Sequence, residues 1–344
     1  MSDHTPRDAG QRGVPRPVTN LRKAFQRKET PIAGAAVVLF VVFAISSDSF
    51  LTPFNIFNVS RNLSFNIFIA LGQTFALVVG GLNLSVGAIG GLSTVTVGLM
   101  VSTLGLPSWL AVITALAVGL LAGFINGILI TKLKLNSFIV TLSTTFIFTG
   151  LVYGISRGYP YTDIPEQFSY FGRQSLLFFP AVFWLMIAAL IAVWYFFAKT
   201  VTGRRMLATG SNETAARLSG INTDRIIVTA NVIGALWAAL TGILYVSRMG
   251  TAQPATGQNW LIISFAVAII GGTALRGGFV SSIGLFAGGI ILVLIKNGLV
   301  LLEANVYFEQ AFLGVIILLA VSLESIQMVI GAGRRRKKST GGAR

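Results

Sequence analysis

Ten apolar stretches, each close to the length of a membrane span, follow one another along this chain. They lie near 31–48, 61–80, 84–104, 109–130, 137–156, 176–198, 226–247, 260–275, 279–297 and 308–327. A transmembrane helix needs about 20 mainly apolar residues. The pattern therefore predicts an all-α, polytopic integral membrane protein of about ten transmembrane helices. The eighth and ninth stretches are short and separated only by TALRGGF, so an alternative count fuses or drops one of them.

The composition agrees with a membrane protein and excludes several kinds of site. Of the 344 residues, 54% are hydrophobic and only 11% are charged, whereas a soluble domain carries about 25% charged residues. Cysteine is absent, and the single histidine is His4, in a polar segment. These counts exclude disulfides, thiolate metal sites and histidine-based sites in the apolar region. We expect the chain to bind no metal or cofactor and to be no enzyme.

The basic residues predict how the chain is oriented in the bilayer. With ten spans and a cytoplasmic N-terminus, the cytoplasmic loops contain Lys132 and Lys134, the basic residues of 199–225 and Arg276, and the C-terminus carries the basic cluster 334–338. Cytoplasmic loops of membrane proteins carry such an excess of Lys and Arg. We therefore expect both termini in the cytoplasm and the protein in a bacterial inner membrane.

The same reasoning divides the chain into three segments. Residues 1–30 are expected to form a polar, disordered cytoplasmic tail with a short interfacial helix near 21–28, residues 31–327 the membrane domain, and residues 328–344 a basic cytoplasmic tail. A signal peptide over 20–47 competes with an uncleaved first helix, which we favour because no small-x-small cleavage site follows. The net charge of +15 forms no basic surface interleaved with aromatic residues, so no nucleic-acid partner is expected.

Motifs that are absent from the sequence reduce the number of possible transport mechanisms. The chain has no G-x-x-x-x-G-K-[ST] motif, so it does not bind ATP through a P-loop. No ionisable residue lies clearly at the middle of a predicted span. Proton-coupled carriers usually need such groups, whereas a Na⁺-coupled carrier can use carbonyls and hydroxyls instead.

The longest cytoplasmic loop, 199–225, contains the signals of a short helix. Asn212 or Ser211 is placed to cap its start, where Glu213 favours the positive end, and Gly220 is placed to stop it. Within this helix, Ala215, Ala216 and Leu218 offer a compact surface that fits a groove on a partner. An ordinary basic loop helix is the alternative.

Four segments, in order, resemble the permease subunits of ABC importers of the ribose/xylose/galactose type. They are GGLNLSVG at 80–87, LNSFIVTLSTTFIFTGLVYGISRG at 135–158, GSNETAARLSGI at 210–221 and GTAQPATGQNWLIISFAVAIIGGTALRGG at 250–278. The resemblance implies a permease for a sugar or similar small polar solute, paired with a second permease copy or homologue in the lipid bilayer. It also implies a periplasmic solute-binding protein at the outer loops, and a separate ABC ATPase subunit that uses the ATP.

The resemblance places the ATPase contact on the loop helix, with Glu213, Ala215, Ala216, Arg217 and Gly220 as the coupling residues. Arg217 is expected to pair with an acidic rim on the ATPase. The outer segment 159–175, with Asp163 and Glu166, is expected to meet the solute-delivering partner; an aromatic belt at the membrane interface is the alternative.

For the solute pathway, the expected residues are Asn83, Ser85, Asn66 and Gln73. Glycine-rich backbone at membrane depth is tolerated where protein or water satisfies its polar groups, so GGLNLS either lines a cavity or forms a tight turn capped by Asn83 and Ser85. The sequence departs from the family at Asn83, where an Asp is usual, and near Trp260, where a Glu is common. A stand-alone secondary carrier or channel, and a related permease for branched-chain amino acids, remain the alternative functions.

Overall fold

The computed structural model describes residues 19–274 and 277–301, with side chains from Ile32 onward, and five further positions: Phe308, Ala311, Gly314, Val315 and Leu318. Most of the tenth predicted span, both predicted terminal segments apart from 19–30, and Arg276 lie outside the described residues. The predictions for these parts of the chain therefore stay predictions.

The described chain is helical almost throughout, as the apolar pattern predicts. Its helices are α1 (Thr19–Ser46), α2 (Pro53–Val78), α3 (Val86–Gly98, continued by a π-helical turn, Leu99–Thr103), α4 (Ser108–Lys132), α5 (Ser137–Ser156), α6 (Glu166–Arg173), α7 (Ala181–Lys199), α8 (Val201–Ser211), α9 (Glu213–Leu218), α10 (Thr223–Met249), α11 (Trp260–Ile270) and α12 (Ser282–Leu301). Two two-residue strands, β1 (Ser175–Leu176) and β2 (Phe179–Pro180), pair antiparallel.

Six of the described helices are long and apolar enough to cross a membrane. They are α3 with its π-helical turn, α4, α5, α7, α10 and α12. The apolar part of α1, Ile32–Ser46, and α11 are shorter. The all-α membrane architecture is thus confirmed, while the count of ten spans stays a prediction. Residues 19–30 are helical, because α1 runs unbroken from Thr19 to Ser46. The division of the chain into a tail and a membrane domain at residue 30 stays a prediction.

Helix α2 forms the centre of the bundle. Every residue from Leu63 to Val78 is buried, and α7, α10, α11 and α12 pack around it. A helix that is enclosed on all sides belongs to the core. It falls outside the six apolar helices although it has 26 residues, because amide and hydroxyl side chains interrupt its apolar sequence.

The glycines of α3 make room for a non-helical segment of the chain that is built of turns. This segment, 251–259, begins at a backbone bridge between Tyr161 and Ala252 and then follows α3. A Cβ placed at Gly91 would lie 2.6 Å from the carbonyl oxygen of Thr256, and a Cβ at Gly87 would collide with the carbonyl of Gly257. The chain meets Gly87 in a run of turns before α11 begins at Trp260.

Small residues also allow α4 and α10 to pack closely. A Cβ at Gly123 of α4 would lie 2.6 Å from the carbonyl oxygen of Asn231 on α10, and one at Gly119 would collide with the Ala239 methyl group. Helix backbones in membranes approach closely where such small residues meet.

We predict that Gly91→Ala destabilises the protein, because the new methyl group meets the backbone of 256 rather than a movable side chain. The matched control is Gly154→Ala on α5, where a Cβ would meet no atom within 4 Å. The melting temperatures of the two purified variants in one detergent provide the measurement. Gly91→Ala is expected to melt several degrees below the control, since overpacking costs about 1–3 kcal/mol; equal melting temperatures would contradict the close approach.

Candidate functional site

The residues proposed for the solute pathway divide into two separate places. Three of them meet at the turn that joins α2 to α3, where Gln73, Asn83 and Ser85 are fully buried. The Asn83 Oδ1 accepts from the Ser85 N–H at 2.9 Å and from the Ser85 hydroxyl at 2.7 Å. The Ser85 Oγ also accepts from the Asn126 Nδ2 of α4 at 2.8 Å.

Gln73 ties this turn back to α2. When the Gln73 amide is oriented so that both of its polar atoms have partners, its Nε2 donates to the Asn83 carbonyl at 2.6 Å and its Oε1 accepts from the Asn83 N–H at 3.3 Å. The Gln73 side-chain amide thus satisfies the backbone N–H and carbonyl of Asn83, which no secondary-structure hydrogen bond satisfies in this turn. None of the three residues lines the cavity that Asn66 lines. Their geometry corresponds to the capped turn, the alternative to a solute-lining surface.

Asn66, in contrast, lines the largest described cavity. This cavity, here named the outer cavity, has a volume of about 710 Å³ and lies between α2, α10, α11 and α12, at the end where α2 begins. Its polar lining is rich in amides: Asn55, Asn58, Asn62, Asn66 and Asn297, with Ser49, Thr52, Tyr245, Arg248, Trp260 and Lys296. Its position and its polar lining make it the candidate solute site.

Sequence reasoning missed most of this lining, although a signal was present. The amides of α2 recur every three or four residues in NIFNVSRNLSFN, which places them on one face of a helix. Trp260 also lines the outer cavity, so one of the two departures from the family pattern lies at the candidate site. The other, Asn83, lies in the buried turn.

The loop helix predicted within 199–225 is present as α9. The Asn212 Oδ1 caps its start by accepting from the Ala215 N–H at 2.9 Å. The chain leaves the helix through Gly220, whose φ of +82° is left-handed, and the Ile221 N–H donates back to the Ala216 carbonyl at 3.1 Å. The start and stop signals in the sequence are therefore confirmed.

Two expected contact residues of α9 make contacts within the chain. Ala216 is buried at 5% exposure, so it does not contribute to the docking surface that we expected. Arg217 is held within the chain, with its Nη2 at 3.0 Å from Glu213 Oε1 and 2.9 Å from Asp224 Oδ1. These ion pairs connect α9 to the start of α10, while the Arg217 side chain stays 58% exposed. Its pairing with an acidic rim on a partner stays a prediction. Every residue of α9 except Ala216 is exposed, and Leu218 is 85% exposed.

Helix α8, which leads into α9, rests on the end of α2. Gly210 of α8 has no room for a Cβ, which would collide with the Val78 carbonyl and lie 2.6 Å from the Gly278 nitrogen. The Gly278 N–H donates to that same Val78 carbonyl at 2.8 Å. This three-way contact, here named the glycine junction, joins α8, the start of the 79–85 turn and the segment before α12.

The predicted outer segment 159–175 contains α6, which is fastened to the end of α10. The Gly172 N–H donates to Ser247 Oγ at 2.9 Å, and the Ser247 hydroxyl donates to the Phe168 carbonyl at 2.7 Å. Asp163 and Glu166 are exposed. The segment is therefore a fixed surface that presents two carboxylates.

We predict that Asn83→Leu lowers stability, because the change removes the acceptor for both Ser85 groups. Removing one partner of a buried hydrogen bond costs about 1–3 kcal/mol. Asn259→Leu is the matched control, since Asn259 is exposed, lies outside the outer cavity lining and makes no side-chain cap hydrogen bond. Thermal melting of the purified variants is the measurement. A stable Asn83→Leu protein with impaired transport would instead favour a solute contact at Asn83.

Comparison with known proteins assigns the family. A family model described as the permease component of branched-chain amino acid transport systems matches residues 55–321. The ribose import permease protein of Bacillus subtilis is 38% identical over 301 residues, covering 87% of this chain and 92% of that protein. The ribose import permease protein of Escherichia coli K12 is 33% identical over 85% of this chain and 92% of its own length. The D-allose transport system permease protein of the same organism is 34% identical over 85% and 89%.

No solved structure matches the chain. The coverage of the family model and of these relatives, together with the helical membrane architecture, shows that the chain belongs to this family of transport-system permeases.

Proposed function

We propose that this chain is the membrane-spanning subunit of an ATP-driven importer for a sugar. One observation carries the proposal: permeases for ribose and for allose align with 85–87% of the chain. The chain supplies the path for the solute, and ATP is hydrolysed on a separate ABC ATPase subunit.

The charges of the described bundle agree with a drive from ATP rather than from protons. The carboxylates with described side chains are Asp48, Asp163, Glu166, Glu213 and Asp224. Each of them lies in a loop or in the first turn of a helix. Proton-coupled carriers place such groups along the solute path. None of these five residues lines the outer cavity.

The proposal includes ten spans with both termini in the cytoplasm. The six long apolar helices, the two shorter ones and the enclosed α2 correspond to the first nine predicted stretches, and the tenth stretch lies almost entirely beyond the described residues. This topology places α8 and α9 on the cytoplasmic side and the outer cavity on the periplasmic side. A second copy of the chain, or a homologue, completes the membrane unit.

On the cytoplasmic side, α9 is the proposed contact for the ATPase. It is a short helix with a capped start, and its ion pairs tie it to α10. Its exposed face carries Ala215 and Leu218, which suits insertion into an apolar groove. A rigid helix in a groove transmits displacement, and the glycine junction passes that displacement from α8 to the end of α2.

On the periplasmic side, the segment that contains α6 is the proposed contact for a solute-binding protein. Asp163 and Glu166 supply charge, and the nearby β1–β2 turn exposes Leu177 and Phe178, the latter at 94%. Apolar and charged groups at one surface are common in protein interfaces. Solute released by the binding protein would then enter the outer cavity.

We predict that Leu218→Asp weakens the complex with the ATPase about tenfold or more, since buried apolar anchors dominate such interfaces. Leu177→Asp is the matched control, because Leu177 is also exposed but belongs to the proposed periplasmic side. The measurement is the amount of ATPase that co-purifies with each variant after mild detergent extraction. Equal retention by Leu218→Asp and the wild type would contradict the coupling role of α9.

A further inference from the structure

Two apolar grooves, here named the α7 grooves, lie side by side on the exposed face of α7. The first has a volume of about 330 Å³ and lies between α7 and the start of α12, and the second, of about 540 Å³, follows α7 alone. Ile191 and Trp194 line both grooves and form the ridge between them. Both side chains are more than half exposed, on a helix long and apolar enough to cross a membrane. The grooves therefore face the hydrocarbon core of the bilayer.

The second groove runs along the axis of α7 towards the end of the helix. Its lining includes Ala188, Ala192 and Phe196, which are spaced four residues apart and therefore lie one above the other. The groove ends at Thr200. At about 1.5 Å per residue, the stretch from Ala188 to Phe196 spans about 12 Å, and the hydrocarbon core of one leaflet is about 15 Å thick. The groove thus has the direction and most of the length of an acyl chain that lies parallel to the helix.

A group of cations, here named the basic elbow, lies where α7 turns into α8. It consists of Lys199, Arg204 and Arg205, which are all exposed. The Arg204 Nη1 donates to the Lys199 carbonyl at 3.3 Å, which holds the guanidinium at the end of α7, where Thr200 closes the second groove. None of the three cations forms an ion pair with a carboxylate that the structure describes. The grooves therefore end at positive charge that the described chain does not neutralise.

The backbone of the basic elbow is held by local hydrogen bonds and close packing. The Thr200 hydroxyl donates to the Phe196 carbonyl at 2.6 Å and accepts from the Gly203 N–H at 3.0 Å. A Cβ at Gly203 would lie 2.8 Å from the Phe197 Cα, so α8 packs directly against the end of α7. Cations on such a fixed backbone favour a bound anion, because less order has to be imposed when the anion binds.

We propose that the α7 grooves and the basic elbow bind one anionic phospholipid, with its acyl chains on either side of Trp194 and its phosphate at the elbow. Lys and Arg form strong charge-assisted hydrogen bonds with phosphate, and basic sites between helices on the cytoplasmic side bind anionic lipid headgroups. The proposal takes from the proposed function only the topology that places this end of α7 at the cytoplasmic leaflet.

A second copy of the chain is the alternative occupant of the grooves, and the charges of the basic elbow disfavour it. In a two-fold interface the same surface patch meets itself. Two basic elbows would then approach each other, and such a juxtaposition of like charges opposes association. An anionic headgroup instead relieves the repulsion among the three cations of one elbow.

Lipid titration of the purified full-length chain, followed by native mass spectrometry, tests the headgroup site. The wild type is expected to bind phosphatidylglycerol about tenfold or more tightly than phosphatidylethanolamine with the same acyl chains, since each basic residue near an anionic lipid adds to the affinity. The variant that carries Lys199→Gln, Arg204→Gln and Arg205→Gln is expected to lose this preference. The matched control removes three other exposed cations that the topology places on the cytoplasmic side, through Lys132→Gln, Lys134→Gln and Arg225→Gln, and is expected to keep the preference.

A second variant tests the grooves separately from the charges. Ala192→Trp places a bulky ring in the second groove, and because Ala192 is exposed, the packed core of the bundle is unchanged. The ring is expected to exclude an acyl chain sterically and to weaken phosphatidylglycerol binding several-fold. Leu121→Trp, at an exposed position of α4 outside both grooves, is the matched control and is expected to bind as the wild type does.

The outcomes distinguish the lipid from the other occupants. Equal binding of the two phospholipids by the wild type, or an unchanged preference in the triple elbow variant, would overturn the headgroup assignment. Loss of a dimer in Ala192→Trp with unchanged lipid binding would identify the grooves as an interface between copies. Loss of the ATPase in the triple elbow variant with an unchanged lipid preference would assign the elbow to the ATPase. The lipid measurements involve no transport, so uptake driven by an ion gradient would contradict the importer function and leave the lipid site standing.

Discussion

The enclosure of α2 is the constraint on which the rest of the structure depends. Because its residues from Leu63 to Val78 are all buried, every polar side chain on this part of the helix needs a partner inside the protein. The Ser64 and Thr74 hydroxyls donate to carbonyls one turn earlier, and Gln73 pairs with the backbone at Asn83. Asn66 is the exception on this buried run, and it is the one that meets the outer cavity.

The two ends of α2 therefore make different contacts and have different proposed roles. Its first half lines the outer cavity up to Ile69, and its last residue, Val78, accepts the hydrogen bond of the glycine junction. In the proposed importer the ATPase moves α9 and α8, and the junction passes that movement to α2. The solute and the ATPase would thus act on opposite ends of the same helix. Packed helices can shift between discrete arrangements, so a displacement at one end would change the other end.

Much of the fold could be predicted because helices that cross a bilayer appear in the sequence as long apolar stretches. Apolar stretches mark the helices, and local chemistry marks the ends of α9 at Asn212 and Gly220, where the structure has a cap and a left-handed residue. The non-helical segment 251–259 beside α3 could not be predicted in this way. Its cause is a close approach between Gly91 and the backbone of 256, and hydropathy carries no signal of contacts between distant parts of a chain.

The site was harder to predict than the fold because residue type does not reveal where a side chain points. Asn83 and Asn66 are the same residue, yet one caps a turn and the other faces a cavity. Ala215 and Ala216 are neighbours, yet only the second is buried. The spacing of amides along α2 was the one readable signal of the cavity, since it requires only that the stretch be helical.

Uptake of a sugar into proteoliposomes tests the central claim most directly. The vesicles contain this chain with its co-purified ATPase, and the solute-binding protein is added outside. With ATP enclosed, uptake is expected to continue after ionophores collapse the proton and sodium gradients, and to stop when a non-hydrolysable ATP analogue replaces ATP. Uptake that needs an ion gradient and proceeds without ATP would contradict the account and identify the chain as a secondary carrier.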